Sequence, residues 1–335
     1  MAANGTEGHT TSNHTTSTHT TSDQTVSDRP ISGEQIVIEA HGYVAHVASI
    51  GATLRALTLD DRDLVVPFGA DEVRPAFRGA TLAPWPNRVT DGRYRFDDED
   101  LLLSLTEPER GHALHGLAAW LDFSIERSDA SSVDLAAVVE AQSGYPFRIR
   151  VDVSYRLGSD GLETVVTATN IGPTRAPAGL GPHPYLVAGA GLVDDWDLEL
   201  PAARVLTVEG ERMMPGPVVG VDELTEFDFR SARRIGSTEI DHAFADLTRS
   251  DADGDAVVRV TTADGSGVGM RWGTACPWVQ VHTADKPGLP VHRIGLAVEP
   301  MTCPPDAFNS GVDLDVLEPG EALTASWNIF GIAAR

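Results

Sequence analysis

From Gly33 onward the dominant period of the apolar residues is two rather than 3.6, and that period constrains the fold more than any other feature. Gln35 to Glu39, Val44 to Val47 and Thr53 to Leu59 carry it through the first part of the body. Tyr94-Arg95-Phe96, the acidic run Asp97 to Asp100, and Leu101 to Leu105 read as a hairpin with an acidic tip. Further strands are expected over 121–128, 132–140, 147–157, 162–170, 196–200, 241–247, 256–261, 267–272, 278–283, 293–299 and 322–330. Ser-Asp-Gly at 159–161 and Ala-Asp-Gly at 263–265 are turn signals between such runs. The pattern holds no amphipathic helix of ten or more residues, only single-turn candidates near 71–77 and 305–310. Many short strands punctuated by Gly and Pro predict an all-β sandwich or barrel. With neither a repeat nor a break in composition, residues 33–335 are expected to form a single domain.

Residues 1–32 differ: they are rich in Thr, Ser and His, lack the apolar stretch of a secretion signal, and read as a disordered polar tail. His9, His14 and His19 invite a metal-binding reading, but a solvated tail explains them more simply. The formal net charge is −24, and Lys286 is the one lysine. That balance argues against nucleic-acid and anionic-membrane partners. It also suits an acidic surface in a salty cytoplasm, or simply a high-GC genome. The two cysteines, Cys276 and Cys303, are too few for a disulfide framework and read as small buried residues. No stretch is long and apolar enough to span a bilayer, so a cytoplasmic location is expected.

Four stretches, together with Glu299, could carry chemistry. Leu82 to Arg88 places Trp85 between two prolines and delivers Asn87 and Arg88 just before a strand. Gly111 to Leu117 holds His112 and His115 among glycines that let backbone approach a ligand. In Gly181-Pro182-His183-Pro184-Tyr185, prolines stiffen His183 from both sides, as a proton donor requires. Ile240 to Phe244 carries Asp241 into a strand. Glu299 ends the apolar run Ile294 to Val298, with turn chemistry expected from Pro300 on. A buried carboxylate is costly unless paired or used, so it is the first candidate base. No phosphate loop, dinucleotide fingerprint or metalloprotease motif is present.

In this order the stretches resemble the aldose 1-epimerase (galactose mutarotase) family over nearly all of the chain after residue 33. Asn87-Arg88 with Asp91-Gly92-Arg93-Tyr94, then Leu114-His115-Gly116, look like its front half. His183 with Tyr185, then Asp241, then Glu299 with Pro305-Asp306-Ala307 and Asn309, look like its back half. The resemblance implies a large antiparallel β-sandwich that interconverts the anomers of a free monosaccharide without metal or cofactor, as a monomer or homodimer. Glu299 matches its general base and His183 its general acid, while Arg88, His115 and Asp241 match residues that orient the sugar. Asn87 and Tyr185 complete the expected binding set, with Trp85, Trp120 and Tyr185 as candidates for stacking on a sugar face. Met301 stands where galactose-type members usually carry Gln. Pro84-Trp85-Pro86 looks more like a bacterial branch that includes proposed sulfoquinovose mutarotases.

Three other readings use the same residues. Asp241 and Glu299 could be the paired carboxylates of a glycoside hydrolase. The sandwich could bind sugar without catalysis. His112, His115, His183 and Glu299 could hold a metal.

Overall fold

The computed structural model describes residues 1–3, 5, 28–250 and 254–334; the expected polar tail, with its three histidines, falls mostly outside them. Residues next to it are tied to the body: Arg29 pairs with Asp122, and the buried Ser32 donates its hydroxyl to the Ala70 carbonyl.

Period-two sequence becomes antiparallel sheet, and the protein is an all-β sandwich. One sheet has nine strands, in the order Ser124–Ser128, Ser132–Val139, Ile149–Gly158, Gly161–Asn170, Ala322–Ile332, Gly267–Trp272, Ala256–Thr261, Asp197–Glu199 and Arg233–Arg234. A second has six, in the order Tyr185–Leu186, Leu296–Met301, Trp278–His282, Asp241–Leu247, Ala202–Glu209 and Met214–Gly220. Strands Gln35–Ala40, Tyr43–Ala48, Thr53–Leu59 and Arg62–Asp63 make a smaller third sheet. Val133, Val151, Val166 and Trp272 of the nine-stranded sheet share one core with Val205, Phe244, Val279 and Val298 of the six-stranded one. Along Ile149–Gly158 nearly every second side chain is buried in that core, as one half-covered face demands.

Three details depart from the sequence reading. Arg93–Phe96 pairs with Glu99–Leu102, so Asp97 and Asp98 alone form the hairpin tip, while Glu99 and Asp100 lie in a strand. The strand expected over 293–299 runs instead over Leu296–Met301, through Pro300. Proline is tolerated there because the flanking Tyr185–Leu186 strand pairs only with Leu296 and Ala297 and stops short of it. The strands Ala202–Glu209 and Met214–Gly220 were not anticipated; the latter carries two prolines and survives as the sheet's edge. Among the described residues helix is confined to single turns, including Pro75–Phe77 and Ala307–Ser310, where short turns were expected. No helix among the described residues is long and apolar enough to cross a membrane.

Gly79 shows how closely the sheets are pinned. Its φ is +66°, a side-chain carbon there would stand 1.9 Å from the Leu54 carbonyl oxygen, and its N–H donates to the His183 carbonyl. Gly79→Ala is therefore expected to cost about 2 kcal/mol or more in a denaturant titration.

Candidate active site

The register of the six-stranded sheet builds the floor of a cavity of about 550 Å³, within the roughly 300–1,000 Å³ usual for small-molecule sites. Val279, Val281, Leu296 and Val298 point into the core, so the alternate positions Gln280, His282, Ala297 and Glu299 face the other way. Strand pairing aligns these in two rows: Tyr185, Ala297, His282 and Asp241 in one, Glu299, Gln280, Ala243 and Leu206 in the other. The cavity walls come from turns. Arg88–Thr90 pairs with His112–Leu114, and His115 and Asn87 then bond backbone to backbone. Both adopt positive φ, 63° and 55°, which turns their side chains out of the ladder. His183 sits between the two-residue strands Gly181–Pro182 and Tyr185–Leu186.

Each ionisable group has a partner that sets its charge. Arg88 makes a two-pronged bond to Glu107, at 2.7 and 3.0 Å, and reaches within 3.9 Å of Asp241. Burial opposes the charge on Glu107, yet hydrogen bonds from Arg88 and Arg110 bring its carboxyl below the usual range. Asp241 is held low in the same way: burial opposes ionisation, but His282, Arg88 and a 2.7 Å bond from Gln280 outweigh it. His183 Nε2 lies 3.4 Å from Glu299 Oε1, and both residues are 5% exposed or less. Burial, reinforced by Asp241, pushes Glu299 well above a normal carboxyl. Burial and the nearby His282 drop His183 to about 3. With one proton between them, ordinary values would place it on the imidazole; the structure favours it on the carboxyl.

His115 is also held neutral, by burial first and His183 second. Its Nδ1 accepts the Asn87 N–H at 3.2 Å, which leaves Nε2 as the protonated nitrogen. His115, His183 and Glu299 do bring potential metal-ligand atoms within 4.8 Å of one another. A metal-bound imidazole, however, turns its second nitrogen to an acceptor, whereas that of His115 meets a donor. The hydrogen bonding is that of a neutral donor imidazole.

A second concavity of about 430 Å³ lies over the nine-stranded sheet, among Arg156, Glu163, Arg271 and Asn328. It has no histidine, and its arginines are engaged by Asp134, Asp160 and Asp255. The acid–base groups belong to the first.

The sequence profile of the aldose 1-epimerase family matches residues 34–329, almost the whole body built around this cavity. The chain belongs to the aldose 1-epimerase family. The uncharacterized protein YihR of Escherichia coli K12 is 37% identical over 300 residues, 89% of this chain and 94% of that protein. The aldose 1-epimerase of the same organism is 25% identical over 270 residues, 73% and 76% of the two chains. Among solved structures, an aldose epimerase homologue from C. elegans matches with a TM-score of 0.78 at 21% identity, covering 90% of this chain and 99% of that one. Galactose 1-epimerase from Lactobacillus acidophilus gives 0.73 at 20%, covering 89% and 94%. At such identities the solved structures speak for the fold.

All seven residues singled out in the sequence, Asn87, Arg88, His115, His183, Tyr185, Asp241 and Glu299, line the cavity of this aldose 1-epimerase family member. Other candidates do not. His112 is spent on structure, its Nδ1 accepting the Asp91 N–H and its Nε2 meeting the Arg212 carbonyl. Trp85 packs in the core against Tyr145 and Phe308, and Trp120 lies outside the cavity with the Arg74 guanidinium 4.3 Å over its ring. Of the aromatic candidates only Tyr185 reaches the site. Sequence reasoning missed Phe77, Glu107, Gln280 and His282, and Lys286 at the exposed rim. Gln280 and His282 had a visible signal, two polar residues at alternate positions of an otherwise apolar strand.

A carboxyl whose folded-state pKa is raised stabilises the fold fully below its unfolded value, and that contribution is lost as pH climbs through the folded value. Glutamine does not titrate. Glu299→Gln is therefore expected to gain on the wild type in Tm as pH rises above the ordinary carboxyl value of about 4.3; a gap that does not change with pH would contradict the raised carboxyl.

Proposed function

We propose that this chain interconverts the α and β anomers of a free aldose or a close relative, with Glu299 and His183 as the proton-exchanging pair. The observation that carries this reading is their 3.4 Å contact on the cavity floor. The anomeric oxygen and the ring oxygen are both bonded to C1, so the groups serving them must be neighbours. Glu299 as carboxylate takes the proton of the anomeric hydroxyl, the C1–O1 bond becomes a carbonyl, and the ring C1–O5 bond breaks. His183 gives its proton to the ring oxygen. Rotation about C1–C2 and the reverse transfers close the ring as the other anomer, each positioned group contributing about 10²–10⁴-fold.

Burial gives this sequence a direction. Ring opening carries the pair from carboxylate and imidazolium to carboxyl and imidazole, the neutral arrangement that desolvation favours. The open-chain state is stabilised, and the resting pair must first pass its proton across the 3.4 Å contact. Arg88 and Asp241, with His115 as a neutral donor, are the groups proposed to hold the sugar hydroxyls. Met301, where galactose-type relatives usually have Gln, is fully buried among Leu206, Ala243, Ala245 and Trp278 and offers no hydrogen bond. The proposal is accordingly a free aldose in the cytoplasm, not galactose in particular.

Anomer-resolved NMR on freshly dissolved α-glucose, α-galactose and sulfoquinovose tests the reading. The wild type should speed equilibration of at least one; Glu299→Gln and His183→Asn should each abolish that gain, and activity retained in both would remove the assigned roles. The pH profile gives a second test, since one shared proton keeps the pair competent between the titrations of His183 and Glu299. Asp241 raises the Glu299 pKa and Arg88 lowers it. Asp241→Asn should therefore move the alkaline limb of kcat/KM down and Arg88→Gln should move it up, whatever each does to the plateau. Limbs that stay put in both variants would assign the titration to another group.

One observation favours a glycoside hydrolase instead: Asp241 and Glu299 are pushed apart in pKa, as an acid and its ionised partner would be. That chemistry leaves the His183 contact without a role. Release of phenol from aryl glycosides, absent under the mutarotase reading, separates the two.

A further inference from the structure

The turn between Arg74 and Arg78 carries backbone strain that its local sequence does not require. Ala76 has φ 45° and ψ 43°, and Phe77 follows with φ 55°. Side chains in this left-handed region cost on the order of 1–3 kcal/mol each and persist only where their surroundings fix them. The surroundings here are substantial. Arg74 is buried and donates to the Ile50 and Ala119 carbonyls and the Thr53 hydroxyl. Behind the turn, Ala80 N–H bonds the Phe77 carbonyl. Gly79 N–H donates to the His183 carbonyl at 2.8 Å, and His183 N–H donates to the Ala80 carbonyl at 3.1 Å. The turn and His183 are thereby locked to each other through both backbone groups of the histidine.

The strain delivers one aromatic ring. Phe77 is only partly buried, lines the cavity, and stands 4.8 Å from the His115 ring and 6.3 Å from that of His183, near-parallel to the latter. Trp120 backs it at 6.0 Å. One side of the ring packs against Ala80, Leu82 and Ala119, and the rest faces the cavity. The floor presents the charge and hydrogen bonds of Asp241, Gln280 and Glu299, which suit hydroxyls, while the C–H faces of a pyranose need an apolar surface; Phe77, beside the rings of His115 and His183, offers one there, with Tyr185 the other aromatic ring of the lining.

We propose that Phe77 is a substrate-contacting platform, its ring supporting one apolar face of the bound sugar before His115 and His183, held there by the strained Arg74–Arg78 turn. The assignment rests on the reading of the cavity as a sugar site and adds to it the residue that fixes how the ring lies. Trp85 and Trp120, which do not line the cavity, cannot fill that role.

The test compares Phe77→Ala, Phe77→Leu and Phe77→Tyr in the full chain by three measurements: anomer exchange, saturation-transfer NMR from protein to sugar, and Tm. Phe77→Ala should raise KM about tenfold, roughly 1.4 kcal/mol, and lose most of the saturation transfer. Phe77→Leu should fall between, and Phe77→Tyr should restore KM to within about twofold of wild type, without KM following Tm. Wild-type KM and saturation transfer in Phe77→Ala would overturn the platform. So would a Phe77→Tyr variant as impaired as Phe77→Ala with a matching loss of Tm, which is the mark of a packing role. Should the wild type bind a sugar without speeding its anomer exchange, the mutarotase reading fails by itself. Saturation transfer then decides Phe77, its loss in Phe77→Ala supporting the platform and its retention overturning it. If none of the three sugars binds, both readings fall.

Discussion

The antiparallel register of the six-stranded sheet is the constraint from which the site follows. Val279, Val281, Leu296 and Val298 are buried in the common core, and their burial locks two neighbouring strands in place. A slip of one residue would exchange Val298 with Glu299, burying a carboxyl in the core and exposing valine to the cavity. The same hydrophobic pattern that selects the fold therefore aims the acid. Tyr185, His282, Asp241 and Gln280 come with it, because cross-strand neighbours share a face. Arg88, at the start of a short strand, and His115 and His183, in turns, need separate placement, and each is fixed by backbone bonds to another part of the molecule.

Desolvation is the second theme. Glu299 and His183 meet on a floor so enclosed that Glu299 Oε2 and His183 Nδ1 have no protein partner. Unsatisfied buried polar atoms cost about 1–3 kcal/mol apiece, and stability alone would not select them. Around them the charges are committed: Glu107 balances Arg88 and Arg110, and Gln280 steadies Asp241. A neutral, proton-sharing pair inside a frame of fixed charges suits a reaction that moves protons but leaves the net charge unchanged.

Much of this was legible in the residues. The strands over 241–247, 256–261 and 267–272 emerged with their expected bounds, and over 256–261 the burial alternates without a break. Pro300 misled, since proline reads as a stop unless one knows that the adjacent strand is only two residues long. Glu107 was invisible as a partner of Arg88 because it is nineteen residues away in a polar loop, where composition says nothing of pairing. Phe77 was missed for a different reason: a positive φ at a non-glycine residue leaves no trace in hydrophobic pattern. Trp85, framed by prolines, looked like a ligand contact and is core, since a ring so stiffly held serves packing equally well.

Lys286, exposed at the rim of the cavity, has a practical consequence. It is the one lysine among 335 residues. Amine-directed reagents therefore find a single side-chain target, and that target stands at the mouth of the site. A fluorophore installed there would sit beside every arriving ligand. For the same reason, an aldehyde reaching this opening meets the one lysine amine able to condense with it into an imine.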